Sequence, residues 1–546
     1  MWKPGPALPQ EADGIFIGAG HNALVAANYL AQAGVRVIVV ESQGWIGGGL
    51  CTEEVTLPLF QHNLHVFFVR WSPDYRIWRD LELERYGLEI LTPDVQNAIP
   101  FREGGGLAIF RSVEQTAKAI RRLSPKDAET YLRIHAEFAE LAARILTPLR
   151  FAPPLPEEEL AERLGRSALG RRFLRWWRTS ALDLVRELFT HEAVRALVLC
   201  NVAVRGYLPV LDVPGTGYIV VQALPGAHTG ALVRGGTAAA ARALAARLYA
   251  HGGLILTQAP VTRILVQNGR AVGVELANGH RLRARRFVCS SLPAPLTLGS
   301  LVEPSALDPS WREILAGYRW NEEALFGVHL ALRTPPVYRG TRPEDPLNQA
   351  LNHFVGYETS VILEQHLREI REGRLPETPA LHVGVPTRLD PSQAPPGYAT
   401  AFAWAFVPNG PAAMARWEGP ERLRYAERVL ERWAEYAPGL QEEILAIAVH
   451  TPLDTERLIP SMVRGDRHHG SYHPHNFWAS RPHPALGRYR TPIEGLYLCG
   501  SGSFPGGSFT GQPGYNAATI IAQDLGVPLW WRPRSAEEIL AALTAE

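Results

Sequence analysis

Asp13-Gly14-Ile15-Phe16-Ile17-Gly18-Ala19-Gly20-His21-Asn22-Ala23 runs from a short apolar segment through a glycine turn into a helix. Residues 15–17 read as a buried parallel strand, and Gly18 permits the tight turn that leaves it. Gly20 removes the side chain where backbone must approach a pyrophosphate, whose charge sits at the N-terminus of a helix over residues 22–32. Ala19 lies between the two glycines, Asn22 opens the helix, and Ala23 fills the third small position, where helix and strand pack closely. Gly34 ends the helix, residues 35–40 supply a second strand, and Glu41 follows it, 23 residues after Gly18. That is the offset at which a carboxylate accepts hydrogen bonds from an adenosine ribose.

A second stretch, Gly495-Leu496-Tyr497-Leu498-Cys499-Gly500-Ser501-Gly502, continues to Thr510-Gly511-Gln512-Pro513-Gly514-Tyr515-Asn516. It reads as another strand, glycine loop and helix start closing over the rest of a dinucleotide. Trp45-Ile46-Gly47-Gly48-Gly49 lies just past Glu41, so a second run of bare backbone is available to the ribityl and pyrophosphate. A nicotinamide site does not usually need that run, and the ligand expected is FAD, held without a covalent bond. The cofactor-binding residues expected are Gly18, Ala19, Gly20, Asn22, Ala23, Glu41, Gly47, Gly48, Gly49, Gly500, Ser501, Gly502, Gly511, Gln512 and Pro513.

Gly18-Ala19-Gly20-His21-Asn22, Ile46-Gly47-Gly48 and Thr52-Glu53-Glu54 together resemble the phytoene desaturase-related flavoproteins. Leu389-Asp390-Pro391, Tyr436-Ala437-Pro438-Gly439, Arg481-Pro482 and the segment from Gly495 to Gly502 extend the resemblance over nearly the whole chain, most weakly across residues 143–231. The branch is that of the pyridine nucleotide-disulfide oxidoreductase domain-containing protein 2 and the flavin-type carotene ketolases. The resemblance implies a backbone contact from Val261 to the adenine. It also implies hydride transfer from an apolar, polyene or long-chain substrate to flavin N5, with oxygen or a quinone as acceptor. Two positions depart from the pattern: Gly49 stands where many relatives carry arginine, and Phe504 where many carry histidine before Pro-Gly-Gly. Amine oxidases of this group usually place a lysine near N5, and the lysines here are only Lys3, Lys118 and Lys126. An isomerase or ketolase on the same scaffold is the alternative. A non-catalytic lipid- or partner-binding protein is the third reading, opposed by the intact set of Gly18, Gly20 and Glu41.

At 546 residues the chain exceeds a single core. Its 55 basic and 54 acidic residues leave a net charge of +1, which gives no footprint for nucleic acid. Met1 to Glu11 lacks an apolar core, no run of eighteen apolar residues is evident, and the chain is expected in the cytoplasm. The four cysteines, Cys51, Cys200, Cys289 and Cys499, show no redox-active spacing.

The expected architecture is α/β: a Rossmann-type, glutathione reductase-like FAD-binding domain, discontinuous over residues 1–70, 230–300 and 485–528. An α+β substrate domain with a helical cap takes 71–229 and 301–484, and a tail helix 529–546. Within the cap, Arg171, Arg172, Arg175 and Arg178 interleave with Phe173, Leu174, Trp176 and Trp177. This is either a peripheral membrane contact or, preferred, a helix whose arginines snorkel past a core-facing stripe. His468, His469, His473, His475 and His483 cluster around Tyr472 without metal-site spacing, so no metal is expected. His65, His469 and Tyr472 are the catalytic candidates; oligomeric state is not legible.

Overall fold

The apolar run that opens the chain forms the central strand Glu11–Ile17 of a mixed sheet. The computed structural model describes residues 9–72 and 74–545; the segment whose composition argues against a signal peptide lies largely outside them. Val37–Val40 and then Leu254–Leu256 pair in parallel on one side of the central strand, and Arg281–Ser290 on the other. All four residues of Val37–Val40 are buried, as expected of a parallel strand covered on both faces. Arg281–Ser290 divides its outer edge. Its first half pairs antiparallel with the hairpin Val261–Gln267/Arg270–Leu276, and its second half parallel with Leu496–Leu498. It begins six residues earlier than the apolar segment starting at Phe287, because Leu282 and Ala284 face inward while Arg281, Arg283 and Arg285 alternate outward. The hairpin turns on Asn268 and Gly269, both at positive φ.

Two helices stack on this sheet, His21–Gln32 and Gln512–Asp524. They cross so closely that a Cβ on Gly514 would lie 2.0 Å from the Asn22 carbonyl oxygen. These two helices thus lock the two glycine loops, almost 500 residues apart, into one block.

A second, seven-stranded sheet runs in the order Ile444–His450, Glu323–Leu332, Ala399–Pro408, Leu381–Gly384, Asn352–Val355, Val95–Pro100, Gly106–Phe110. Its strand Ala399–Pro408 is buried throughout and sorts by parity. Ala401, Ala403, Ala405 and Val407 pack toward the helix Glu421–Tyr436, whereas Phe402, Trp404 and Phe406 face the opposite layer. That layer is helical, running from Val113–Arg121 to Gly217–Gly226.

Within it, the helix Ala168–Trp177 turns its aromatic residues inward. Phe173, Leu174, Trp176 and Trp177 are buried, while Arg172 bridges to Glu137 and Glu140 and Arg175 to Glu187. Its aromatic face belongs to the core. No run of eighteen consecutive apolar residues occurs, as expected, but one helical segment comes near the composition of a membrane span. The helical run Glu192–Val210 is long and apolar enough to cross a membrane, although 89% of its most apolar window is buried here. Interruptions by Arg195, Asn201 and Arg205 hide it from a search for unbroken apolar residues.

Candidate functional site

A cavity of about 700 Å³ lies between the ends of the first sheet, the inner face of the second and the helical layer. Ligand sites of small molecules and cofactors fall in this size range. One end is walled by the two glycine loops. Gly18, at φ 85°, makes the turn after the first strand, where a Cβ would meet Ser291 Oγ at 2.4 Å. Gly20 differs: a Cβ there would have nothing within 4 Å, so its missing side chain leaves open cavity at the helix N-terminus. The Gly47–Gly49 run is stitched to the first of these loops by the Gly47 N–H donating to Ala19 O at 2.9 Å. Glu41 anchors the same turn, its Oε2 accepting the Ala19 N–H at 2.7 Å and its Oε1 the Gln43 N–H at 2.9 Å.

Of the residues expected to hold the cofactor, Gly18, Gly20, Asn22, Glu41, Gly48, Gly49, Val261, Gly500, Ser501 and Gln512 line the cavity. Asn22 is nearly buried, donates to Ser501 Oγ at 3.4 Å and leaves its Oδ1 without a partner, an acceptor free for a ligand donor. Ala19, Ala23, Gly47, Gly502, Gly511 and Pro513 do not line it. They stand one layer back: a Cβ on Gly511 would press on Ile77 and Val25, and one on Gly502 on Tyr318. Pro513 sits in the first turn of the helix Gln512–Asp524. These small residues let the layers approach rather than touch a ligand. The donor set fits FAD: bare backbone at Gly20 beside a helix start, a carboxylate at Glu41, and the Ala259–Val261 backbone beyond it.

The other end is an aromatic chamber. Phe67, Phe68, Trp404 and Phe406 line it, with Phe67 packed edge-on and Trp404 tilted against Phe402, at centroid distances of 4.7 and 4.1 Å. Tyr472 stacks on Tyr207 at 4.3 Å, and burial raises its phenol, so it stays protonated. His65 lines the cavity with both ring nitrogens engaged, Nδ1 3.3 Å from Cys51 Sγ and Nε2 3.3 Å from Thr455 Oγ1. His469 also lines it, at φ 53° and with no partner for Nδ1. Burial pushes His469 and His21 down to about 4, and His65 and His468 well below the usual imidazole range. The chamber's imidazoles are therefore neutral at pH 7.

Sequence reasoning missed what holds this wall. Arg481, fully buried, donates to the carbonyls of Ser471 and His468 at 2.8 Å and of Ser501 at 3.0 Å, tying the histidine segment to the second glycine loop. In the sequence it stands out only as part of an Arg-Pro pair. Cys289 and Cys499, 210 positions apart, come together on one strand and just past the end of its neighbour, and burial with Cys499 raises the Cys289 thiol well above its usual value. Both are free thiols. Among the described residues no three His, Cys, Asp or Glu side chains converge as a metal-ligand group.

The family model described as flavin containing amine oxidoreductase matches residues 24–522. The chain belongs to that family. It is 32% identical to a subunit of the limonene dehydrogenase from Castellaniella defragrans, with 98% of each chain covered. It is 29% identical to the pyridine nucleotide-disulfide oxidoreductase domain-containing protein 2 of Rattus norvegicus, over 95% of this chain and 94% of the other, which bears out the branch read from the motifs. An oxidoreductase structure from Methanosarcina mazei shares the fold at a TM-score of 0.60 and 18% identity, covering 93% of this chain and 99% of the other. The protein is an FAD-dependent oxidoreductase with a Rossmann-type cofactor fold.

Proposed function

We propose that the chain dehydrogenates an apolar substrate, and that the glycine-walled end of the cavity holds FAD without a covalent bond while the aromatic end holds the substrate. The observation that carries this reading is the continuous cavity joining Gly20 and Glu41 to a chamber lined by Phe67, Trp404 and Phe406. FAD, when bound, supplies a two-electron acceptor for hydride at N5. The protein's share is to hold a C–H bond there and keep water away, which the aromatic walls do. His469 is the group we assign to take the proton lost from the neighbouring carbon. It is neutral, borders the cavity and has an unpartnered nitrogen, whereas His65 is held on both sides and Tyr472 is a protonated phenol. Among the described residues no lysine lines the cavity, which speaks against amine oxidation. The limonene dehydrogenase relative favours an unsaturated hydrocarbon body for the substrate. Oxygen or a quinone is the acceptor we propose, and the cytoplasm, at most with peripheral membrane contact, is the location.

The test is an anaerobic screen in which apolar alkenes, limonene among them, are added to FAD-loaded protein and the flavin bands are followed. Bleaching by an apolar alkene supports the reading. Bleaching by primary amines alone would contradict it.

A further inference from the structure

Four arginines line the cavity, and their pairing is uneven. Arg467 is matched, donating to the buried Glu323 carboxylate at 2.7 Å. Arg70, Arg150 and Arg205 are not: among the described residues no carboxylate comes within ion-pairing distance of any of them. Their partners are neutral acceptors. Arg70 Nε donates to the Gly226 carbonyl at 2.9 Å, and Arg150 to the side-chain oxygens of Gln512 and Gln222 at 3.0 and 2.8 Å. Arg205 donates from Nη1 to the Asn201 carbonyl and leaves Nη2 buried without a partner.

The three converge. Arg205 Nη2 and Arg70 Nε lie 3.0 and 3.5 Å from the point a Gly226 Cβ would occupy, so both guanidinium groups border the same small space. Arg70 sits over the Phe68 ring at 4.8 Å, at the edge of the aromatic chamber. Mutual repulsion is felt: burial first and then Arg150 lower the Arg70 guanidinium to about 10, and burial, then Arg70, lower Arg205 as well. Guanidinium groups do not give up their charge near neutral pH, and like charges in a half-buried wall raise the free energy unless an anion joins them.

We propose that Arg70, Arg150 and Arg205 form an anion subsite that takes the head group of the substrate, a carboxylate or phosphate at one end of an otherwise apolar chain. The inference rests on the reading of the aromatic end as the substrate chamber and narrows the class: an amphiphile rather than a bare hydrocarbon. The unpartnered Arg205 Nη2 and the planar forks of its neighbours provide the charge-assisted donors such a head group accepts. None of the three has a hydrogen bond with the glycine turn at Gly18–Gly20; Arg150 touches the cofactor end only through the neutral side chain of Gln512.

The test titrates FAD-loaded protein with dodecanoate, dodecyl phosphate and dodecanol below their micellar concentrations, reading the shift of the oxidised flavin bands and, in parallel, the melting temperature. The subsite predicts at least a tenfold tighter response to one of the two anions than to dodecanol, the tighter anion naming the head group. It also predicts loss of that preference in R205Q and in R70Q with FAD content retained. Equal binding of all three ligands to the wild type overturns the proposal and needs no variant to fold. So does an anion preference that survives both substitutions, or loss of FAD from them, which would assign the cluster to the cofactor. Alkene bleaching is read separately, so an absent anion preference beside intact bleaching removes only the head group. A preference without bleaching by any substrate removes only the dehydrogenase reading.

Discussion

The Glu41 carboxylate accepts the backbone N–H of Ala19 at 2.7 Å, so the acid that ends the second strand also holds the glycine turn of the first. One residue thereby joins two tasks: fixing the loop that faces a pyrophosphate and leaving carboxylate lone pairs for ribose hydroxyls. Glu41→Ala is expected to release FAD and to lower the melting temperature of the apoprotein, since the Ala19 and Gln43 N–H groups both lose an acceptor. Losing such hydrogen bonds costs about 1–3 kcal/mol each where the group is buried. Flavin absorbance per protein and a melting curve check both.

Gly20→Val separates the two tasks. A side chain at Gly20 meets open cavity, and its backbone is extended, so the fold accommodates valine. The expected outcome is FAD loss with an unchanged apoprotein melting temperature. Normal FAD content would remove Gly20 from the cofactor site.

Gly514→Val tests the packing beneath the site. Its Cβ would lie 2.0 Å from the Asn22 carbonyl oxygen, so the helices His21–Gln32 and Gln512–Asp524 must part. Overpacking of this kind costs about 1–3 kcal/mol or more. Melting should fall by several degrees, and FAD affinity should weaken because Asn22 and Ser501 no longer meet.

Acid should destabilise the protein between pH 6.5 and 4. His21, His62, His228, His366 and His469 are held near 4 by burial, and His353 and His382 near 3, against 6.5 when unfolded. In that window the unfolded chain binds more protons, so stability is complete above about pH 6.5 and drains away as pH falls. Each histidine contributes up to about 1.4 kcal/mol per pH unit. Glu323, raised to about 7 by burial, acts oppositely over the same window, as one group against several. Melting temperature measured from pH 8 to pH 4.5 should decline steadily below 6.5; a flat profile would contradict the neutral, buried imidazoles.

His469→Ala should retain FAD but slow flavin reduction by substrate by about 10²–10⁴-fold, the range of general-base contributions. Tyr472→Phe keeps the stack on Tyr207 and should reduce the rate far less. Anaerobic stopped-flow traces compare the two.

The parts legible in the sequence were those whose chemistry is local. Gly18, Gly20 and Glu41 belong to one strand–helix–strand unit with a spacing set by its geometry, and Gly500 and Gly511 flank a single loop. What stayed hidden depends on contacts between distant segments. Arg70, Arg150 and Arg205 sit in three unrelated stretches, and nothing in any of them announces the other two. The periodicity of Ala168–Trp177 showed an apolar face but not what covers it; burial of Trp176 and its bond to Glu137 at 3.0 Å supply that. The pairing of Arg281–Ser290 with two partners on one edge has no sequence pattern of its own, since each half reads as an ordinary short strand.

The most direct test of the cofactor and cavity assignment is the absorbance spectrum of the purified protein, taken before and after anaerobic dithionite and again after heat release of the chromophore. The site predicts flavin bands that bleach on reduction, one FAD per chain in the supernatant, and no colour left on the protein. A colourless protein that takes up no added FAD, or a flavin that stays with the denatured chain, would contradict it.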